Sequence, residues 1–548
     1  MTKRLFSLSL VALATTQAHA ATSYRLEVID QPVGAYQTTG TTIATDGTIG
    51  GGITTRLSAK TVDEEVVYHD ELGRYDDETV GALYNDIVDE TTGRYRSLST
   101  NVAYIGEPTL TLLPGLGAED EDLTVDTAVN GESEGLYFGY SSGPWSTVTF
   151  TNSSDEEETH YVRDFTTRGY VTDLTQSHAL MPIYTIPTTS RGDQEVLNAD
   201  EHFGGVSLAN GGAGQWVVGQ SSIGLGTGGE SIYENCQDED SIIPIRTCLR
   251  SLSYQSEATA WTLVDGVPST PKAIGLLAEP EDDDDPANFA SSAQAVNIHG
   301  LAVGQSVVRD GRYLRNVATL FDVNEGKALK ALTVTNDTIS SSIANDINDD
   351  GIAVGRAVFP STYSTSKFFV YNTNDDTITY PASFYDSANS IAYAVNNSGL
   401  VVGAADWERV PPSSSRRQHA FVYDLNNDSF KDLNDLLQFD GSLLTQRYDG
   451  DTCAAREDWT LEYARDINDN GEIVATAVTT LRDTSGNLVL DDDGATQYVL
   501  RAVKLVPTDE EPASCVTDQD EPYQRKGSGS MGLLSLGLLG LLGWRRRR

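Results

Sequence analysis

Between Ser23 and Val506 the chain alternates apolar and polar residues with a period of two, in short runs broken by Asn, Asp and Gly. No segment of this body keeps a long 3.6-residue apolar period. Short β-strands joined by tight turns are therefore predicted, with helices as minor elements. One pattern recurs: a small residue, an aliphatic, Asn, two turn residues, Gly, three residues ending in Val, then Gly. It stands as AVNIHGLAVG (295–304), DINDDGIAVG (346–355), AVNNSGLVVG (394–403) and, less completely, DINDNGEIVA (466–475).

Each copy predicts a β-hairpin. Asn297, Asn348, Asn396 and Asn468 begin the turns, and the Gly three residues later tolerates a left-handed backbone. Such an Asn can also bind the turn backbone through its side chain. The second Gly suits a close approach by a neighbouring strand. Fainter copies lie at IATDGTIGG (43–51), AVNGESEGLYFG (128–139) and LANGGAGQWVVG (208–219). Further alternating strands follow several hairpins: ATAWTLVDG (258–266), VATLFDVNEG (317–326), KFFVYNTNDD (367–376), HAFVYDLNND (419–428) and RAVKLV (501–506). A hairpin plus two strands makes a sheet that cannot cover its own faces, so successive units must stack as propeller blades.

Hairpins of this form alternating with HAF-type strands resemble the HAF-repeat proteins of bacterial exteriors. The sharp repeats cover roughly 258–506, while 21–257 matches loosely. With its two ends, the chain resembles an uncharacterised family of exported gammaproteobacterial proteins. That resemblance implies a fold and an address, and no catalytic residues. The expected architecture is all-β, a β-propeller over residues 21–507 with about seven blades on the hairpin count; an open β-solenoid is the alternative. The early strand SYRLEVID (23–30) is expected to join the sheet of RAVKLV and close the ring.

The ends carry a different pattern. Lys3 and Arg4 precede an apolar run from Leu5 to Ala14, and Ala18-His19-Ala20 is a small-x-small cleavage site, so residues 1–20 read as a secretory signal peptide for signal peptidase. Residues 508–526 read as an acidic, polar linker. Residues 527–548 end in an apolar run, Met531 to Trp544, and four arginines. As a helix that run spans roughly 21 Å against a hydrocarbon core of about 30 Å, a short transmembrane segment whose arginines would stay cytoplasmic. Gly/Ser patch, short apolar helix and arginine cluster closely resemble the GlyGly-CTERM sorting signal. The resemblance implies cutting near Gly527, Ser528, Gly529 and Ser530 by a rhombosortase, then type II secretion to the surface or medium. The body would thus be periplasmic and transiently anchored in the inner membrane before release.

Charge narrows the partners. The chain has 80 acidic and 37 basic residues, a formal net charge of −43. Such a field repels phosphate backbones and anionic lipid, which argues against a nucleic-acid partner. Four cysteines in an exported chain are expected to be oxidised. The expected pairs are Cys236 with Cys248 and Cys453 with Cys515.

Candidate chemistry is sparse. Asp346, Asn348 and Asp350, and again Asp466, Asn468 and Asn470, match the first half of a D-x-[DN]-x-[DN]-G calcium loop. Position 12 of each loop is Ala357 or Ala477 where a bidentate Glu is needed, and the first Asp becomes Ala295 or Ala394 in sister repeats, which favours a structural turn. DLNNDS (424–429) is a poorer match, and the acidic EPEDDDDP (279–286) reads as a solvated loop. GYSSG (139–143) fits the nucleophile elbow around Ser141, but no helix pattern follows it. GLGTGG (224–229) reads as a flexible loop lacking the strand, helix and acidic partner of a nucleotide fingerprint. His299 and His419 read as a turn residue and a repeat-strand residue.

The expected function is an exported, non-enzymatic repeat protein presenting binding loops to a protein or polysaccharide. A secreted glycan hydrolase or lyase is the alternative. Carboxylates, His, Tyr and Arg converging at one channel mouth would favour the enzyme.

Overall fold

The alternating runs become seven antiparallel sheets arranged as blades around one channel. The computed structural model describes residues 23–29, 35–55, 57–62, 65–70, 101–106, 110–117, 125–151, 156–191, 195–238, 243–278, 289–311, 313–333, 339–360, 365–410, 416–483, 486–491, 494–512 and 515. Blade 1 is Ala35–Ile43, Ile49–Thr55, Asn101–Gly106 and Thr111–Leu112; blade 2 is Thr127–Ser133, Leu136–Ser141, Arg168–Thr172 and Ser177–Leu180. Blade 3 is Ser207–Ala213, Trp216–Leu225 and Tyr254–Val264, edged by Val267–Pro268 and Lys272–Ala273. Blade 4 is Ser291–Val296, Leu301–Asp310, Tyr313–Asp322 and Lys327–Ala331; blade 5 is Ser341–Ile347, Ile352–Phe359, Thr365–Asn372 and Thr377–Thr379. Blade 6 is Ser390–Val395, Leu400–Asp406, Gln418–Asp424 and Ser429–Asp432.

Blade 7 joins the two ends of the body. Thr460–Ile467, Ile473–Thr480 and Tyr498–Thr508 take Ser23–Val28 as their fourth strand, with Ser23 opposite Thr508 and Val28 opposite Val503. Leu437–Phe439 adds a parallel fifth strand. The early strand therefore closes the ring as its sequence predicts, and the open solenoid is set aside.

Packing closes the same circle. Every blade junction has its own buried cluster: Ala103, Ile105 and Val129 between blades 1 and 2; Phe138, Val217 and Trp261 between 2 and 3; Val218, Ala293 and Phe321 between 3 and 4. Leu320, Ile347 and Phe369 fill the next junction, Phe368, Val401 and Phe421 the one after, and Val402, Leu461 and Ala475 that between blades 6 and 7. Ile43, Ile49 and Val474 seal blade 7 onto blade 1. Strands buried on both faces need near-continuous apolar runs, and Leu400–Asp406 is buried at all seven positions.

The Asn-x-x-Gly turns are built as predicted and do more than turn. Gly300, Gly351, Gly399 and Gly471 have φ of 78°, 78°, 82° and 79°. Each turn Asn Oδ1 accepts from backbone ahead of it, as from His299 N and Leu301 N at Asn297. Its Nδ2 then crosses to the next blade: Asn297 to Asn348 O, Asn348 to Asn396 O, Asn396 to Asn468 O, and Asn468 to Ala44 O, at 3.0 to 3.1 Å. One side chain both caps its own turn and latches its neighbour.

At the other end of the inner strands a hydroxyl performs the equivalent task. Thr127, Ser207, Ser291, Ser342, Ser390 and Thr38 each accept from a backbone N–H of the preceding blade, at 2.8 to 3.0 Å. Between blades 6 and 7 the insertion residue Asn434 replaces it, accepting from Leu461 N and donating to Leu461 O.

Two readings of the sequence need correction. In the copy at 128–139 the turn is Glu134–Gly135, both with positive φ, and Asn130 sits in the strand instead. GLGTGG is no free loop: it runs from the strand Trp216–Leu225 into the helix Gly229–Cys236. Cystine Cys236–Cys248 joins that helix to Ile245–Leu249. Cys453 and Cys515 are also disulfide-bonded.

Candidate functional site

All seven inner strands carry a β-bulge at the same level, and its extra residues are Thr41, Asn130, Asn210, Gln294, Asn345, Tyr393 and Arg465. A bulge re-aims one side chain. These seven line a channel cavity of about 310 Å³. Thr41, Asn130, Asn210 and Asn345 use the new direction to donate to the neighbouring blade, on Val129 O, Ala209 O, Ala293 O and Ala392 O at 2.7 to 2.8 Å. Blades 4, 6 and 7 depart from this belt: Gln294 Nε2 donates to Ser292 Oγ of its own blade at 3.4 Å, and Tyr393 and Arg465 meet each other. There the Arg465 guanidinium lies 4.3 Å from the Tyr393 ring centroid and 5.2 Å from that of Tyr463.

The candidate calcium residues fall beside the belt. Asp346 Oδ1 accepts from Ile347 N and its Oδ2 from Val395 N of blade 6. Asp466 repeats this on Ile467 N and Ile43 N, adding Thr42 Oγ1. Asn348 and Asn468 are the latches already described, Asp350 is exposed, and the Asn470 amide donates to Thr45 O. The structure thus brings Asp346 and Asp466 to one channel and commits their oxygens to backbone N–H groups. Among the described residues no group of three His, Cys, Asp or Glu side chains is placed to hold a metal ion.

Burial pushes the Asp346 carboxyl up to about 7, against the hydrogen bond from Val395 N, and the Asp466 charge adds to the rise. Asp466 is raised by burial, as is Glu132 of the same lining.

The remaining motifs are structural. Ser141 is fully buried within a strand, where its Oγ accepts from Leu116 N and donates to Ser142 O. His299 lies in the first turn and its carbonyl accepts from Asn324. Asp424 caps the turn at 424–429 by accepting from Asn426 N. EPEDDDDP and the processing residues Ala18, Ala20 and Gly527–Ser530 lie outside the described residues. Among the described residues no helix is long and apolar enough to cross a membrane.

Antiparallel order puts the connections on two faces. The first-to-second and third-to-fourth strand turns share one face, and none exceeds five residues. The second-to-third and fourth-to-first connections start and end on the opposite face, and the long ones include 56–100, 142–167, 181–206, 226–253 and 433–459. Three of them fuse into a platform. Ile186, Leu197, Phe203, Cys236, Ile245 and Leu249 form its core. Buried Arg191 donates to Cys236 O and Ile243 O, and Arg246 pairs with Asp164 and with Glu201.

Seven latched blades, a closing sheet made from both ends of the body and a one-sided set of insertions define a seven-bladed β-propeller. The chain belongs to the DUF3466 family, a family of proteins of unknown function, whose model matches residues 3–547. No curated protein matches the sequence significantly. Similar solved structures include a puromycin-hydrolysing peptidase of Mycobacterium tuberculosis, at 10% identity and a TM-score of 0.26, covering 84% of this chain and 61% of that one. An oligogalacturonate lyase of Vibrio parahaemolyticus is 11% identical over 88% of this chain and 97% of its own, with a TM-score of 0.33. The Dos1 propeller is 8% identical over 88% and 95%, with a TM-score of 0.30.

Proposed function

We propose that this protein is an exported, non-enzymatic propeller whose insertion face binds a protein or polysaccharide at the cell surface or in the medium. The observation that carries the reading is the asymmetry of the two faces: turns of at most five residues on one, every long insertion on the other. The blade-to-blade latches make a rigid base, and binding residues gather on loops held by such a base. Export rests on the signal-peptide pattern ending at Ala20 and on the oxidised cysteines. The HAF-repeat resemblance and the GlyGly-CTERM-like tail add the address: rhombosortase cutting within 527–530 and passage through type II secretion.

A second reading has its own observation. Asp346, Asp466, Tyr393 and Arg465 share the channel, the convergence that a glycan hydrolase or lyase requires. Binding is preferred because the carboxylate oxygens already hold backbone N–H groups.

The test is a panel of polysaccharides and surface proteins, probed with protein bearing one polyethylene glycol chain on an introduced cysteine. Attachment at Thr149 or Ser387 on the insertion face is expected to block binding, and attachment at exposed Ile298 on the turn face to spare it. Blocking from Ile298 alone would reverse the assignment of the face. Release of reducing ends from a polysaccharide would replace binding by the enzymatic reading.

A further inference from the structure

On the insertion face, between blades 6 and 7, lies a group of side chains that the repeat pattern does not explain. His419 is the second residue of the third strand of blade 6, at the level where blades 4 and 5 have Val317 and Lys367. Lys367 serves the scaffold by donating to Asp386 O and Ala388 O. His419 instead places Nδ1 at 2.7 Å from Asp432 Oδ2. Asp432 is itself fixed, because its Oδ1 accepts from both Asn434 N and Asn434 Nδ2. The carboxylate takes the hydrogen bond from the proton on Nδ1, so the neutral imidazole offers Nε2 as an acceptor. Among the described residues nothing bonds to Nε2, and the side chain is 12% exposed.

The ring is also clamped in orientation. Trp407 stacks on it at 4.4 Å and 14°, and Phe384 meets it edge-on at 6.2 Å. The loop that carries Trp407 is anchored by the buried pair Arg416–Asp406 at 3.0 Å. At the rim, Arg417 pairs with Glu408 at 2.7 Å and stays 65% exposed. Glu462 completes the set from the inner strand of blade 7. Burial raises its carboxyl, and a hydrogen bond with Tyr463 and the Arg417 charge oppose the rise. Glu462 stands there because a second bulge, between Leu461 and Tyr463, adds a residue to this strand.

We propose that this cluster of side chains is a binding site for a neutral glycan, with His419 Nε2 accepting from a sugar hydroxyl and Arg417 and Glu408 reading its neighbours. Aromatic side chains beside a few placed polar groups suit a ligand that is apolar on its ring faces and hydroxylated at its edges. The chain's net charge of −43 selects against polyanionic glycans. The proposal rests on the insertion-face reading and names the ligand class and the place on that face.

The full-length protein, run in gels containing amylose, laminarin or soluble agarose, provides the test, with His419→Gln, Trp407→Ala and Arg417→Ala beside it. At least one glycan is expected to retard the wild type. His419→Gln and Trp407→Ala should each weaken retardation about tenfold, and the exposed Arg417→Ala about threefold without altering the fold. Unchanged retardation in all three variants overturns this site while leaving the face reading intact. So does a wild type that no neutral glycan retards but that captures a protein ligand blocked from Thr149. Failure to bind anything in either experiment removes both.

Discussion

The Asn396 side-chain amide donates to the carbonyl of Asn468 at 3.0 Å, joining two turns 72 residues apart in the chain. The same side chain accepts from Ser398 N and Leu400 N. Asn396→Ala strands one carbonyl and leaves two turn N–H groups without their cap, all at a position that is 3% exposed. The expected destabilisation is about 2–3 kcal/mol by urea unfolding. An unchanged midpoint would make the latch ornamental.

The glycine that closes each repeat is held by a collision. A Cβ at Gly403 would stand 2.1 Å from Ile391 O, and the equivalents at Gly304 and Gly355 would meet carbonyls at 2.0 and 2.1 Å. Blade 7 has Ala475 at this position, in the sheet whose inner strand carries the extra bulge at Glu462. Gly403→Ala should therefore destabilise by about 3 kcal/mol or block folding, whereas Ala475→Gly should cost about 1 kcal/mol or less. Thermal midpoints of the two variants decide it.

Asp346 gives stability a pH dependence of known sign. Its carboxyl is raised in the folded chain to about 7 from an ordinary value of 3.8. The folded state thus holds this proton more tightly, and the contribution is complete below the unfolded value and lost as pH rises through about 7. Urea midpoints should fall between pH 5 and pH 8 in the wild type and fall less in Asp346→Asn. Asn has one acceptor oxygen for Ile347 N and Val395 N, and the hydrogen bond it loses weakens the variant at both pH values and cancels in the comparison.

Removing the Cys236–Cys248 bridge should act locally. The bridge closes a segment of sequence separation 12 within the platform core, a constraint of roughly 3 kcal/mol. Cleavage of the Cys236→Ser, Cys248→Ser protein within 226–253 should quicken on the order of a hundredfold, with the blades left intact. Global unfolding of that variant would show the platform to be part of the ring's stability.

The turns were legible because Asn and Gly at a fixed interval have one economical use, and blade number followed from them. The bulges were not. A bulge inserts a residue without altering hydrophobic alternation enough to reveal itself, so Asn130 resembled a turn residue and Tyr393 and Arg465 gave no sign of sharing a channel. The Ser and Thr staples at Thr38, Ser291 and Ser342 were hidden for another reason, since hydroxyls are common in any β-rich chain. By sequence His419 reads as a repeat-strand residue, and its contrast with Val317 and Lys367 is the signal that sets it apart. The platform insertions 142–167, 181–206 and 226–253 carry no repeat, and their core depends on contacts between separate insertions.

Closure through Ser23–Val28 also sets an order of events. The last blade is incomplete until Tyr498–Thr508 exists to receive the first strand, so the ring forms after synthesis of nearly all of the body. The entropy of joining two such distant strands rises only with the logarithm of the intervening length. An insertion of the size of 56–100 adds roughly 0.1 kcal/mol to that closure. The blades can therefore acquire new loops on one face at almost no expense to the circle that supports them.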